Sequence, residues 1–127
     1  MVAVAALIYR DGRVLAMQRS TNKDAGAGLW ETLSGRVERG EEPLDAVRRE
    51  IAEECGLTVD VDPRPVDAYA ARRRGQPMVV VLYRAHYVSG EVVRSEEHDD
   101  HAWLTPDEFD ARTPLKRLVQ TVRDAVY

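Results

Sequence analysis

Residues 48–56 read RREIAEECG, and on a helix they set Glu50, Glu53 and Glu54 at i, i+3 and i+4, three carboxylates on one face. Like charges at that spacing weaken a helix by roughly 0.2–0.5 kcal/mol per pair. They also fall in the last turns of any helix that Gly56 ends, where the backbone dipole favours cations. Two chemistries account for such a triplet. A divalent cation removes the repulsion: Mg²⁺ is a hard ion that takes carboxylate oxygens and keeps waters for substrate phosphates. Alternatively the face is solvated, with Arg49 pairing Glu53 at i+4. Taken alone, the triplet favours the solvated face.

A wider spacing reverses that balance. From Gly35 the chain runs GRVERGEEPLDAVRREIAEECGL, with Glu41, Arg49-Glu50, Ile51, Glu53-Glu54, Gly56 and Leu57 at fixed distances. Every defined position matches the Nudix box, G-x5-E-x7-R-E-U-x-E-E-x-G-U with U aliphatic. Over residues 35–57, and more loosely over most of its length, the chain resembles the Nudix hydrolase family. The resemblance implies an α/β fold, the Nudix-type α/β/α sandwich with a mixed β-sheet. It also implies hydrolysis, dependent on Mg²⁺ or Mn²⁺, of a nucleoside diphosphate linked to another group.

By the same resemblance Glu50, Glu53 and Glu54 bind the metal, Arg49 orients them, and Glu41 supports the site. Gly35 and Gly56 match loop glycines, where close backbone approach or positive φ excludes a side chain. Water attacking a phosphoryl centre needs charge neutralisation, which metals supply while lowering the pKa of bound water. It also needs a proton acceptor, for which Glu53 and Glu97 are both candidates. One departure stands before the box. The segment TLSGR has Leu33-Ser34 where the family commonly has Pro-Gly. Ser34 keeps the backbone carbonyl that some members offer the metal, but the turn geometry does not carry over.

Outside the box, Glu97 stands six residues before Trp103 and resembles a late acidic residue that completes the metal site in MutT-type members. Glu96 competes for that role, and a solvated acidic loop SEEHDDH is the alternative. His98 and His101 read as solvated loop histidines rather than ligands, since Mg²⁺ prefers oxygen. Arg19 resembles a strand-end arginine that meets substrate phosphates, against a plain surface arginine. Arg36 and Trp30 complete the candidate substrate-binding set, Trp30 by stacking on a base. The run ARRRG at 71–75 reads as a solvated hairpin tip, and Trp103 and Cys55 as core residues.

The resemblance leaves the substrate open within one class. Compact length resembles MutT-type enzymes that convert a (d)NTP, oxidised ones included, to (d)NMP and pyrophosphate. ADP-ribose hydrolases often carry a proline about fifteen residues past the box, where this chain has Arg72 and Arg73. An ADP-ribose or NDP-sugar pyrophosphatase is the alternative, and a catalytically silent nucleotide-sensing domain a further one.

The elements that must hold these residues are legible. VAVAALIYRDGRVLAMQR reads as a hairpin about Asp11-Gly12. STNKDAGAGLW reads as a loop, and ETLSGRVERGEE as one or two short strands. The best helix spans Pro43 to Cys55: proline suits its first turn, and Leu44, Val47, Ile51 and Cys55 form one core stripe. The glutamate stripe lies roughly 90–100° from it, beside the core face and not within it. LTVDVDP is a strand, and a long hairpin follows, turning near Gly75-Gln76-Pro77. HAWLT is a short strand. Thr105-Pro106 and Thr113-Pro114 each read as an N-cap with proline behind it, the second opening a C-terminal helix to about Val126.

With 127 residues, 44% apolar and 31% charged, the chain reads as one domain, residues 1–127. Its net charge of −4 gives no reason to expect nucleic acid as a partner. One cysteine, no basic leader and no long apolar run suggest a cytoplasmic protein without membrane contact. The expected partner is a small nucleotide, and the expected state a monomer or homodimer.

Overall fold

The computed structural model describes residues 1–21 and 26–127. Its central strand, β1 (Val2–Arg10), is buried from Ala3 to Tyr9 because it is covered on both sides. Alternation along it divides the core. Ala3, Ala5, Leu7 and Tyr9 face one cluster, and Val4, Ala6 and Ile8 the other.

Eight strands form one mixed sheet among the described residues. The expected hairpin joins β1 to β2 (Arg13–Arg19), with positive φ at Asp11 and Gly12. Two short strands follow, β3 (Trp30–Glu31) and β4 (Leu33–Arg36), pairing β2 and β1 respectively. Residues 22–25 of the expected loop lie outside the described residues. After helix α1 (Pro43–Glu54) come β5 (Thr58–Val61), β6 (Asp67–Arg73) and β7 (Gln76–Ser89). The parallel pairing in the sheet is β1 with β7, in register Ala3↔Val80 through Ile8↔Ala85. Last come β8 (His98–Leu104), paired to β2, and helices α2 (Pro106–Arg112) and α3 (Lys116–Ala125).

α1 packs Ala46, Val47, Ile51 and Cys55 on one face of the sheet. α2 and α3 pack Phe109, Leu118, Val119 and Val122 on the other. This is the expected α/β arrangement with helices on both faces of a mixed sheet. Tyr9 ties α3 down by donating its buried hydroxyl to the Val122 carbonyl at 2.8 Å.

Two local expectations shift. The β6–β7 turn is Arg74-Gly75, with φ +51° and +78°, while Gln76 and Pro77 pair within the strands. Left-handed φ at both central residues is the two-residue hairpin turn of type I′, which Gly75-Gln76-Pro77 does not supply. Thr105 is the expected N-cap of α2, and it forms a capping box with Glu108. Thr113 does not open α3. It closes α2, its N–H donating to Phe109 O, and its hydroxyl accepts from the Leu115 N–H at 3.2 Å. The connection between two short helices takes up Thr113 and Pro114, so the helix starts at Lys116.

Candidate active site

α1 lies across β4, and the contact point is Gly35 against Glu50. A Cβ on Gly35 would overlap the Glu50 carboxyl group, so only glycine lets strand and helix approach this closely. Gly56 serves differently. With φ +67° it ends α1, its N–H donating to Ile51 O at 3.0 Å.

Arg49 is the hub of the wall between them. Its Nε and Nη2 donate to the two oxygens of Glu41 at 2.9 and 3.0 Å. Nη1 donates to Glu50 at 2.8 Å and more weakly to Glu53 at 3.4 Å, and Nη2 reaches the Arg36 carbonyl at 3.0 Å. The expected i+4 pair with Glu53 is thus the longest of these contacts. Glu41 also accepts from the Glu38 N–H at 3.0 Å. The Arg49 hydrogen bonds, then the Glu38 one, hold the Glu41 carboxyl down at about 2. Arg49 in turn is pushed upward, chiefly by Glu41.

The three glutamates of the stripe do not share one environment. Glu50 and Glu54 are 8% and 3% exposed, whereas the Glu53 side chain is 58% exposed. Sequence periodicity set all three beside the core. The difference comes from β4 and the segment before β8, which cover the first two. Glu97, in that segment, meets Glu54, which also contacts Glu50. Burial, then these two carboxyl neighbours, push Glu54 up to about 10. Its Oε2 is buried without a hydrogen-bond partner.

These groups line an open cleft of about 540 Å³, with Ser34, Gly35, Glu38, Glu96 and the cations Arg19, Arg36, Arg49 and Arg73 around it. Beside it, on the α3 side, lies a more apolar cavity of about 360 Å³. Ala3, Ala5, Tyr69, Met78, Val80 and Leu118 are among its lining residues, and Ser34, Gly35, Arg36 and Arg73 belong to both spaces.

The fold therefore brings Arg19, Ser34, Gly35, Arg36, Arg49, Glu50, Glu53, Glu54 and Glu97 to one cleft. Glu41 stands behind it on Arg49. Trp30 is not brought there: it packs on the α2–α3 core beneath the Arg112 guanidinium, 5.0 Å from the ring centre. Arg73, expected in a solvated tip, instead lines both spaces, its alternation along β6 turning it inward. His98 is no solvated loop residue either. It opens β8, is 5% exposed, and lies 3.0 Å from Glu31. His101 contacts Arg94. Neither Glu31 nor the burial of His98 carried a local signal, because their meeting spans 67 residues.

The residues present fit a hard divalent cation. The donors are carboxylate oxygens, one of them buried and unpartnered on Glu54. Close carboxyl groups need a proton or a cation between them, and Gly35 leaves the space against Glu50. Among the described residues no three acidic, imidazole or thiol groups form a ready-made cage. Arg49 draws Glu50 and Glu53 toward itself, so a cation would compete with the arginine for them.

Comparison with known proteins places this geometry in a family. The NUDIX domain model matches residues 1–124. A MutT-like protein of Streptomyces ambofaciens is 38% identical over 112 residues, covering 87% of this chain and 68% of its own. A CTP pyrophosphohydrolase of Escherichia coli K12 is 34% identical over 107 residues, covering 83% and 76%. The crystal structure of a MutT NUDIX hydrolase from Burkholderia pseudomallei superposes with a TM-score of 0.82 at 28% identity, covering 98% of this chain and 97% of that one. A complete box running from β4 through α1, a mixed sheet between helices and these likenesses agree: the chain belongs to the Nudix hydrolase family.

Proposed function

We propose that the chain hydrolyses a nucleoside triphosphate, a (d)NTP, to the monophosphate and pyrophosphate, with oxidised nucleotides within its range. The observation that carries this reading is the adjacency of the two spaces. An apolar cavity suited to a base opens beside a charged cleft suited to phosphates, across the shared residues Ser34, Gly35, Arg36 and Arg73. The relative named for CTP pyrophosphohydrolysis supports the substrate class.

In this reading Glu50, Glu54 and Glu97 hold the cation, Mg²⁺ or Mn²⁺, with Glu53 at the mouth and the Ser34 carbonyl beside them. When bound, the cation neutralises phosphate oxygens and lowers the pKa of its water. Arg19, Arg36 and Arg73 meet phosphate oxygens from the facing walls. Arg49 keeps Glu50 and Glu53 at the cleft while Glu41 fixes Arg49. Glu53, the most exposed carboxylate of the stripe, accepts the proton of the attacking water, while Glu97 is engaged with Glu54. With a cation held there, Glu54 would serve it as an ionised carboxylate. No helix among the described residues is long and apolar enough to cross a membrane. A cytoplasmic, single-domain enzyme, monomeric or dimeric, completes the proposal.

The test is a substrate panel with Mg²⁺ and product identification: the common (d)NTPs, 8-oxo-dGTP, ADP-ribose and UDP-sugars. The expected products are a monophosphate and pyrophosphate from a triphosphate. Faster turnover of ADP-ribose would move the chain to another substrate class. Tight binding without turnover of any member would make it a sensor.

A further inference from the structure

Beside the cleft lies a second charged cluster, outside the box, and its Glu31 also lines the apolar cavity. Glu31 on β3 and His98 at the start of β8 have side chains only 12% and 3% exposed. His98 Nε2 lies 3.0 Å from Glu31 Oε2, and Arg19 Nη1 donates to the same oxygen at 3.2 Å. A carboxylate oxygen only accepts, so Nε2 carries the hydrogen. The other ring nitrogen, Nδ1, is buried with no partner. Folding therefore tolerates an unsatisfied group to keep this imidazole on Glu31.

The strand register slips locally at that contact. β2 and β8 pair in step from Val14↔Leu104 to Gln18↔Asp100, then the register slips so that Arg19 faces His98. An unbroken ladder would have set Asp99 there. Instead Asp99 Oδ2 accepts from the Thr21 N–H at 3.1 Å, and the Ser20 N–H donates to the Glu97 carbonyl at 2.9 Å. Bulges re-aim side chains in this way beside functional sites. Arg19 itself reaches the acidic cleft.

We infer that Glu31 and His98 are positioning residues for Arg19, holding its guanidinium at the phosphate end of the cleft. The inference rests on reading the cleft as a phosphate site. An arginine with a long flexible stem loses much rotamer freedom when it clamps an anion. Held by a buried carboxylate, it loses that freedom at folding and not at binding. His98 keeps the Glu31 carboxylate in place, so the arginine does not simply carry it along.

The test titrates inorganic tripolyphosphate with Mg²⁺ into the full chain by calorimetry, a readout independent of turnover. Arg19→Ala is expected to weaken binding about tenfold and Glu31→Gln about three- to tenfold. The double variant is expected to bind no more weakly than Arg19→Ala, since both changes remove one interaction. With the nucleotide that is turned over, Glu31→Gln should raise KM and leave kcat nearly unchanged. Wild-type affinity in Glu31→Gln, or a double variant whose loss is the product of the two single losses, overturns the inference. If Glu31→Gln does not fold, His98→Phe carries the same test, with a loss of about threefold expected and wild-type affinity counting against the inference. A wild-type chain that does not bind tripolyphosphate removes the phosphate reading itself, and the positioning role with it.

Discussion

Arg49 and Arg19 are each bound to carboxylates at the same cleft, and the two networks are built in opposite ways. Arg49 is partly exposed, and its partners Glu41, Glu50 and Glu53 lie eight, one and four residues away. Arg19 binds a buried Glu31 twelve residues away, and that carboxylate is held by His98 sixty-seven residues further on. The first network follows from a helix and the loop before it. The second exists only where β2, β3 and β8 meet. The difference matters energetically as well. Glu50 and Glu31 are buried alike, but the Arg49 side chain is 26% exposed and that of His98 3%, so the first pairing is partly solvated and breaking the second strands buried groups. Arg49 is therefore expected to matter for orientation at the site, and the Glu31 cluster for both orientation and folding.

The sharpest way to break this contrast is at the stripe itself. Glu53→Gln should lower turnover by about 10²–10⁴-fold if Glu53 accepts the water's proton. The melting temperature of the metal-free protein should not fall, since a repelling charge is removed. A variant with near wild-type rate would move the proton acceptor elsewhere, Glu97 first. Gly35→Ala comes next, because its methyl would enter the space of the Glu50 carboxyl. Overpacking of this kind costs about 1–3 kcal/mol, visible as a lower urea midpoint, and activity should fall with it. An unchanged midpoint would mean that α1 can shift away from β4.

Arg49→Lys is milder. A lysine cannot span both Glu41 oxygens, Glu50 and the Arg36 carbonyl together. Activity should drop by about tenfold with little change in melting temperature, since the network is partly solvated. A large loss of stability would erase the contrast with the buried cluster.

The smallest effect is a dependence on pH. Glu54 is raised from 4.5 to about 10, so over that range the folded chain keeps a proton that the unfolded chain has released. Stability of the metal-free protein should therefore decline as pH rises from about 5 toward 10. Glu41 acts in a separate window. Lowered from 4.5 to about 2, its contribution is complete above the first value and is lost as pH falls through the second. If, as proposed, a cation replaces the Glu54 proton, Mg²⁺ should raise the melting temperature more at pH 8.5 than at pH 5.5. A shift by Mg²⁺ that is the same at both pH values would separate cation binding from Glu54.

Much of the molecule could be read from its letters. The Asp11-Gly12 hairpin, α1, the capped start of α2 and the family itself all rest on patterns within about twenty residues. The misreadings also have local causes. Thr113-Pro114 carries the letters of a helix start, but the preceding helix uses Thr113 first. SEEHDDH looks like a polar loop because its letters carry charge but not the distant neighbours that cover it. Its first histidine is in fact walled in by Glu31, and its second glutamate by Glu54.

By itself the sequence determined that Glu50, Glu53 and Glu54 share a helix face with Arg49 beside them, because a fixed helical period converts spacing into direction. Tertiary structure alone decided that Glu54 is buried against Glu97, that Glu53 stays at the mouth, and that His98 and not Asp99 faces Arg19. Those outcomes depend on how strands from distant parts of the chain register, and a single-residue slip between β2 and β8 exchanges one side chain for another without leaving a mark in the local pattern.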